Sequence, residues 1–286
     1  MSNNLDRVAI ITGATSGIGR VTALKLAECG YIVFLAGRSA RDAHQVIHDI
    51  QERTGRNDAR WLSLDLSDLA SVRSCAQEFL DTALPLHLLV NNAGLAGPRG
   101  LTRNGFEMAF GVNHLGHFLL TKLLLKRLIL SGPSRVVTVA SQAHKRVSGI
   151  NWPDLQMPRQ SLTGVREYAV SKLANVLFNA ELARRLNGTA VSTYAVHPGV
   201  IYTNIWRTVP AIVRPLLKLR GMISVEAGAA TTLYCATQAP QSESGLYYAN
   251  SSVAEPTLMA KNQAMAHRLW VQSDEWVADF GSLSKA

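Results

Sequence analysis

Apolar and polar positions along this chain alternate between two periods in a steady order. Residues 7–13, RVAIITG, are a short apolar, β-branched run closed by glycine and read as a buried strand. Residues 19–30, GRVTALKLAECG, change to helical spacing and stop at a glycine, and residues 31–38, YIVFLAGR, return to an apolar run. The same alternation predicts a helix over 40–54, a strand over 59–66, a helix over 69–80, a strand over 86–94 and a long helix over 106–131. It continues with a strand over 134–141, a helix carrying YAVSK at 168–172, a strand over 191–199 and a last short strand over 245–250. Strands apolar on both faces and separated by crossover helices imply an α/β, doubly wound parallel sheet with right-handed connections. No linker composition, internal repeat or low-complexity tract divides the 286 residues, which reads as one domain.

Composition narrows the class. With 47% hydrophobic and 17% charged residues the chain can bury a full core. No run reaches the ~18 apolar residues of a membrane span. The start, MSNNLDRVAIITG, enters a strand without a signal-peptide pattern, so the expectation is a cytoplasmic protein. Cys29, Cys75 and Cys235 are far apart and odd in number, with no metal-ligand spacing; reduced, buried thiols and no metal site are expected. The net charge of +9 is spread along the chain rather than blocked. Its densest part, 205–223, interleaves Arg207, Arg214, Lys218 and Arg220 with apolar residues, as a lid or a membrane-touching surface helix does, and not as a nucleic-acid stripe does.

Candidate chemistry begins between the first strand and the first helix, at TGATSGIG. Gly13, Gly17 and Gly19, with Thr15, Ser16 and Ile18 between them, allow a sharp turn and let a pyrophosphate approach the amides of a helix N-terminus. Their G-x-x-x-G-x-G spacing differs from G-x-G-x-x-G, but the position is that of a Rossmann-like dinucleotide site. The second strand ends AGRS: Gly37 offers no carboxylate to a ribose, and Arg38 suits a 2′-phosphate, which favours NADP(H) over NAD(H). On this reading residues to about 135 form the dinucleotide-binding half and the remainder the catalytic half. Asp65 and Leu66 after the third strand, and Asn92, Ala93 and Gly94 after the fourth, fall at the carboxyl edge where ligands of such sheets bind. Structural roles compete there: Asp65 as a helix cap, Asn91 and Asn92 as ties between strands.

Tyr168 and Lys172 stand four apart, on one face of a helix, so both can be aimed at one spot. With TGATSGIG, NNAG, VNHLGHF, Ser141, YAVSK and HPG in this order, essentially the whole chain resembles the short-chain dehydrogenase/reductase family. GVNHLGHFLLTKLLL and YAVSKLANVLFNAELARRL resemble its retinol dehydrogenase and WW-domain oxidoreductase branch. The resemblance implies Tyr168 as general acid/base. Lys172 would favour its phenolate and hold the nicotinamide ribose, and Ser141 would donate to the substrate oxygen. Asn113 would hold a relay water, and Pro198, Gly199, Val200 and Thr203 would grip the nicotinamide side. The long interval from Ser141 to Tyr168, with HKRVSGINWPDLQMPRQSLTG inside it, would shape the substrate mouth, and residues 200–225 would form a lid. The expected substrate is an apolar ketone, aldehyde or alcohol. A retinoid is not expected, because the first strand begins without the anchor of membrane-bound retinol dehydrogenases.

His114 and His117 read as packing or polar-network residues, and His144 and His197 as residues that shape the site. HRLWVQSDEWVADF reads as an amphipathic C-terminal helix. Pairing through the helix of Tyr168 would give a dimer or tetramer. Two other functions share these features: a cofactor-binding sensor without turnover, and a membrane-surface protein acting through 205–223.

Overall fold

The computed structural model describes residues 7–199 and 224–282. The lid, the basic segment 205–223, Val200 and Thr203 lie outside the described residues. Eight strands form one sheet: β1 (Val8–Thr12), β2 (Ile32–Gly37), β3 (Arg60–Ser63), β4 (Leu88–Asn91), β5 (Ser134–Val139), β6 (Val191–His197), β7 (Tyr247–Ala249) and β8 (Ser252–Val253). Their spatial order is β3-β2-β1-β4-β5-β6-β7-β8, parallel throughout except for the β7–β8 pair. The order reverses direction between β1 and β4, the place where a doubly wound sheet opens a crevice at its carboxyl edge.

Helices α1 (Gly17–Glu28), α2 (Ala40–Thr54), α3 (Leu69–Asp81), α4 (Met108–Phe110), α5 (Gly116–Leu130), α6 (Val165–Arg185), α7 (Val225–Thr237) and α8 (Gln263–Trp276) cover both faces. Strand periodicity divides the core into two layers. Val8 and Ile10 of β1 join Phe79, Leu119 and Leu177 on one face, whereas Ala9 and Ile11 join Leu26, Val46 and Cys235 on the other. Every residue of β1 is buried, as its unbroken apolar run required.

Three departures from the sequence pattern matter for the site. The strand predicted over 86–94 ends at Asn91, so residues 92–94 leave the sheet as a loop. The helix predicted over 106–131 is interrupted by a π turn at Gly111–Leu115, where the Gly116 N–H reaches the Gly111 carbonyl five residues back. Glycine is needed here for close approach. A Cβ on Gly116 would stand 2.7 Å from the Leu66 carbonyl oxygen, and one on Gly111 would stand 2.3 Å from Thr102 Cγ2. Third, α7 follows residue 223 without an amphipathic stripe to announce it; it buries small residues, Gly228, Ala229, Thr232 and Ala236.

The C-terminal helix foreseen in the sequence is α8, and it packs along α5 and α6. Trp270 stacks on Phe178 at 5.9 Å, meets Phe118 edge-on at 5.0 Å and lies under the Arg185 guanidinium at 4.4 Å. Trp276 lies against Phe106 and Phe110. Cys75 and Cys235 are buried free thiols, as expected; Cys29 is not, because it closes the C-terminus of α1 at the surface. No described helix is long and apolar enough to cross a membrane.

Candidate active site

The glycine-rich turn is built against the loop after β4. Gly13 has φ +66°, and a Cβ on it would stand 2.9 Å from Ala93 Cα. A Cβ on Gly19 would stand 2.3 Å from the Gly13 carbonyl oxygen and 2.5 Å from Asn92 Nδ2. These positions therefore exclude side chains. The α1 N-terminus that follows has Ser16 as its cap residue, but the Ser16 side chain makes no capping bond and no acidic residue sits in the first turn. By contrast, Ser39 and Asp68 cap α2 and α3. Uncapped amides next to a glycine turn fit an anionic pyrophosphate. Thr15 Cγ2 lies 3.9 Å from where a Cβ of Gly37 would stand, which puts the turn beside the end of β2. Arg38, one residue on, is exposed and its side chain makes no hydrogen bond or ion pair among the described residues, so its guanidinium is free for an anion.

Several predicted contacts have a structural role in addition. Asp65 does not cap α3; its Oδ1 accepts the Ser67 N–H at 2.9 Å and the Ser67 hydroxyl at 2.7 Å, closing the turn itself, while Asp68 caps the helix. The Leu66 side chain lies in the core. Asn92 ties β4 to β1, its Nδ2 donating to the Thr12 carbonyl at 2.7 Å. Asn91 donates to Thr121 Oγ1 at 2.9 Å. Gly94 faces two of the predicted site residues directly: a Cβ there would stand 3.3 Å from Asn113 Oδ1 and 3.5 Å from Lys172 Nζ.

Asn113, Ser141, Tyr168 and Lys172 converge at this edge. The π turn aims the buried Asn113 amide at two elements. Its Oδ1 accepts the Leu95 N–H at 2.9 Å, and its Nδ2 donates to the Leu95 carbonyl and to Ser171 Oγ, both at 2.9 Å. Ser171 in turn donates to the Tyr168 carbonyl at 2.8 Å. Lys172 is buried and its Nζ donates to the Val139 carbonyl at 2.8 Å; Asn175 donates to the same oxygen at 3.1 Å. Burial away from any carboxylate pulls the Lys172 amine down to about 7. Ser141, extended at the end of β5, accepts the Ala143 N–H on its Oγ at 3.1 Å. Its main-chain carbonyl meets Nδ1 of the fully buried His144 at 2.7 Å.

The pairing of Tyr168 with Lys172 differs from expectation. Desolvation raises the Tyr168 phenol above its ordinary value, and only its hydrogen bond with Ser141 opposes this. Lys172 Nζ lies 5.6 Å from the ring centroid, with one N–H donated to the Val139 carbonyl and its own charge weakened by burial. In the protein alone, then, Lys172 does not hold Tyr168 as a phenolate; a neutral phenol stands beside Ser141.

His114 and His117 serve the polar network foreseen for them. His114 Nε2 meets Ser273 Oγ of α8 at 3.1 Å, and His117 bridges Thr12 Oγ1 at 2.8 Å and the Asn113 carbonyl at 3.1 Å. Burial drives both imidazoles neutral, to about 3 and about 4. His197, at the end of β6 before Pro198 and Gly199, is likewise held low, at about 4, by burial. Sequence reasoning overlooked Thr12 and Ser171. Each is a lone hydroxyl in an otherwise apolar or motif-bound stretch, and that is the one local signal they carry. A cavity of about 480 Å³ lined by Arg73, Gln77, Asp81 and Phe280 lies on the outer side of α3 and holds none of these residues.

The short chain dehydrogenase family profile matches residues 7–154. The chain is 45% identical to the Bos taurus protein "Dehydrogenase/reductase SDR family member 13" over 276 residues, 93% of this chain and 72% of that one. It is 42% identical to Mus musculus "Retinol dehydrogenase 11", over 92% of this chain and 84% of that one. A crystal structure of an uncharacterized protein from Mycobacterium Paratuberculosis superposes with a TM-score of 0.76 at 36% identity, covering 96% of each chain. With the glycine turn, the π-turn asparagine and the serine, tyrosine and lysine brought to one sheet edge, these likenesses establish that the chain is an oxidoreductase of the short-chain dehydrogenase family, in its retinol dehydrogenase branch, working with a nicotinamide cofactor.

Proposed function

We propose that this protein interconverts an apolar ketone or aldehyde and its alcohol with NADP(H), Tyr168 serving as general acid/base. The observation that carries the reading is the Tyr168 phenol, kept neutral by burial beside Ser141 at the carboxyl edge of the sheet, one helical turn from the buried Lys172 amine. A bound nicotinamide supplies the hydride. The chain's own residues handle the oxygen: Ser141 and Tyr168 both donate to it, and burial keeps the phenol proton available for transfer in the direction of reduction. Lys172, against Gly94 and Asn113, sits where a ribose hydroxyl and a replacement proton would reach it. Asn113 has its side chain occupied by Leu95 and Ser171, so its part is to fix the loop and the helix relative to each other.

The glycine turn with the uncapped α1 N-terminus supports a dinucleotide pyrophosphate, and Arg38 without a carboxylate at Gly37 supports the 2′-phosphate. The retinol dehydrogenase relatives act, by their name, on an apolar alcohol, which supports the substrate class. The test is oxidation of NADPH and of NADH with a panel of apolar ketones, aldehydes and quinones. Turnover with NADPH and loss of it in Tyr168→Phe are expected; equal use of NADH, or undiminished turnover in Tyr168→Phe, would refute the respective assignments.

A further inference from the structure

We propose that His117 is a positioning residue which, as the neutral Nδ1–H tautomer, holds the main-chain carbonyl of Asn113 and so sets the catalytic asparagine against the cofactor loop. The inference rests on the reading of Asn113 as part of the active site.

Counting donors and acceptors fixes the tautomer. Thr12 Oγ1 accepts two main-chain N–H groups, from Asn92 and Ala93, each at 2.9 Å. A hydroxyl has two lone pairs and one proton, so its remaining capacity is to donate. The nearer partner for that proton is His117 Nε2 at 2.8 Å, against 3.4 Å for the Val90 carbonyl. Nε2 is therefore bare. Nδ1, 3.1 Å from the Asn113 carbonyl, carries the ring proton and donates to it. The opposite tautomer would set a nitrogen lone pair against a carbonyl lone pair and ask Thr12 for a third acceptor site. The imidazolium fails on the same count at Thr12. His117 is 1% exposed, and no carboxylate is hydrogen-bonded to it.

The position of this bond gives it a consequence. Within the π turn the main-chain ladder is out of the ordinary four-residue step, which loosens the hold of the helix on its own carbonyls. A side chain four residues along takes the Asn113 carbonyl. The Asn113 amide then spans Leu95 and Ser171, and Ser171 bonds the Tyr168 carbonyl. One imidazole thus joins the end of β1, the loop 92–95, the π turn and the turn of Tyr168, with Thr12 and His117 themselves 105 residues apart in sequence.

Two amide replacements separate the two halves of the bridge. Asparagine at 117 places its Nδ2 near the position of the ring Nδ1 and falls short of Thr12; glutamine reaches the position of Nε2 and gives up the Asn113 carbonyl. If the carbonyl bond is what matters, His117→Asn keeps kcat within about threefold, whereas His117→Gln lowers kcat about 10- to 100-fold with the KM for NADPH little changed. Equal losses in the two variants, or a loss confined to KM, would overturn the proposal. Wild-type protein labelled with ¹⁵N-histidine gives a readout that depends on neither turnover nor the folding of a variant. The His117 resonances, assigned by their absence in either variant or through their contact to Thr12, should show protonated Nδ1, bare Nε2 and no titration between pH 5.5 and 8. An Nε2–H tautomer sinks the proposal while leaving the oxidoreductase reading intact. The expected tautomer in a protein that reduces no carbonyl would sink that reading and not the assignment of the tautomer.

Discussion

Lys172 Nζ donates to the carbonyl of Val139 at 2.8 Å, so helix α6, which carries Tyr168, is tied to the last residue of β5, two positions before Ser141. The bond satisfies one proton of an amine that burial has otherwise stripped of water, and the amine is held at about 7 against an ordinary 10.5.

This sets a pH dependence of stability. Between pH 7 and 10.5 the unfolded chain carries a proton on Lys172 that the folded protein lacks. Stability contributed by this group therefore rises with pH across that window, by up to about 1.4 kcal/mol per pH unit, and is flat below it. Urea unfolding of the cofactor-free protein at pH 7, 8 and 9 should show the rise, and Lys172→Met should remove this part of the slope.

Buried histidines act in the acid range. His114 at about 3 and His117 at about 4 remain neutral in the folded protein at pH values where the unfolded chain, near 6.5, has bound protons. As pH falls below 6.5, each weakens the fold by up to about 1.4 kcal/mol per pH unit until its folded value is reached. Denaturant midpoints measured from pH 7 to 5 should fall steeply, and less steeply in His114→Gln.

Tyr168→Phe removes the phenol hydroxyl, the proposed proton donor, and leaves the packed ring. Its kcat should drop about 10²- to 10⁴-fold, with NADPH affinity by fluorescence titration within a few-fold of wild type.

Arg38→Ser tests the proposed contact with a cofactor 2′-phosphate alone, because the side chain holds nothing else among the described residues. Loss of a charge-assisted bond of about 1.5–3 kcal/mol should raise the KM for NADPH about 10- to 100-fold. The KM for NADH should stay within about twofold in the same assay.

Pairing between copies was expected through the helix of Tyr168, α6, and α8 of the same chain packs on one face of that helix, with Trp270 between Phe118, Phe178 and Arg185. Pairing of copies through this face should therefore fail. Light scattering should give the mass of a monomer, about 31 kDa, and Trp270→Ala should cost about 3 kcal/mol or more of stability and promote association by uncovering the face.

Much of this protein was legible in its sequence for local reasons. Strand and helix periods, the glycine-marked turn after β1 and the residue types at 113, 141, 168 and 172 depend on neighbours a few positions away, and a doubly wound parallel sheet followed from the alternation, while its strand order came from the structure. Where the pattern erred, the cause differed from place to place. The helix over 106–131 contains a π turn whose ends, Gly111 and Gly116, lie hard against Thr102 and Leu66, and α7 escaped notice because its buried face is made of small residues, Gly228, Ala229, Thr232 and Ala236, that leave no apolar stripe. Asp65, too, proved to close its own turn instead of capping α3.

From its order of residues alone this chain determined that a phenol, an amine, a hydroxyl and an amide would be available beside a turn shaped for phosphate, because each requires only a residue type at a place in an alternating pattern. Tertiary structure decided their states. The Lys172 amine donates a hydrogen bond to the Val139 carbonyl and is made less basic by burial, the Tyr168 phenol stays neutral, and His117 takes one tautomer between Thr12 and Asn113. Protonation and hydrogen-bond direction follow from desolvation and from partners tens of residues away, and neither is present until the sheet and its helices have closed around them.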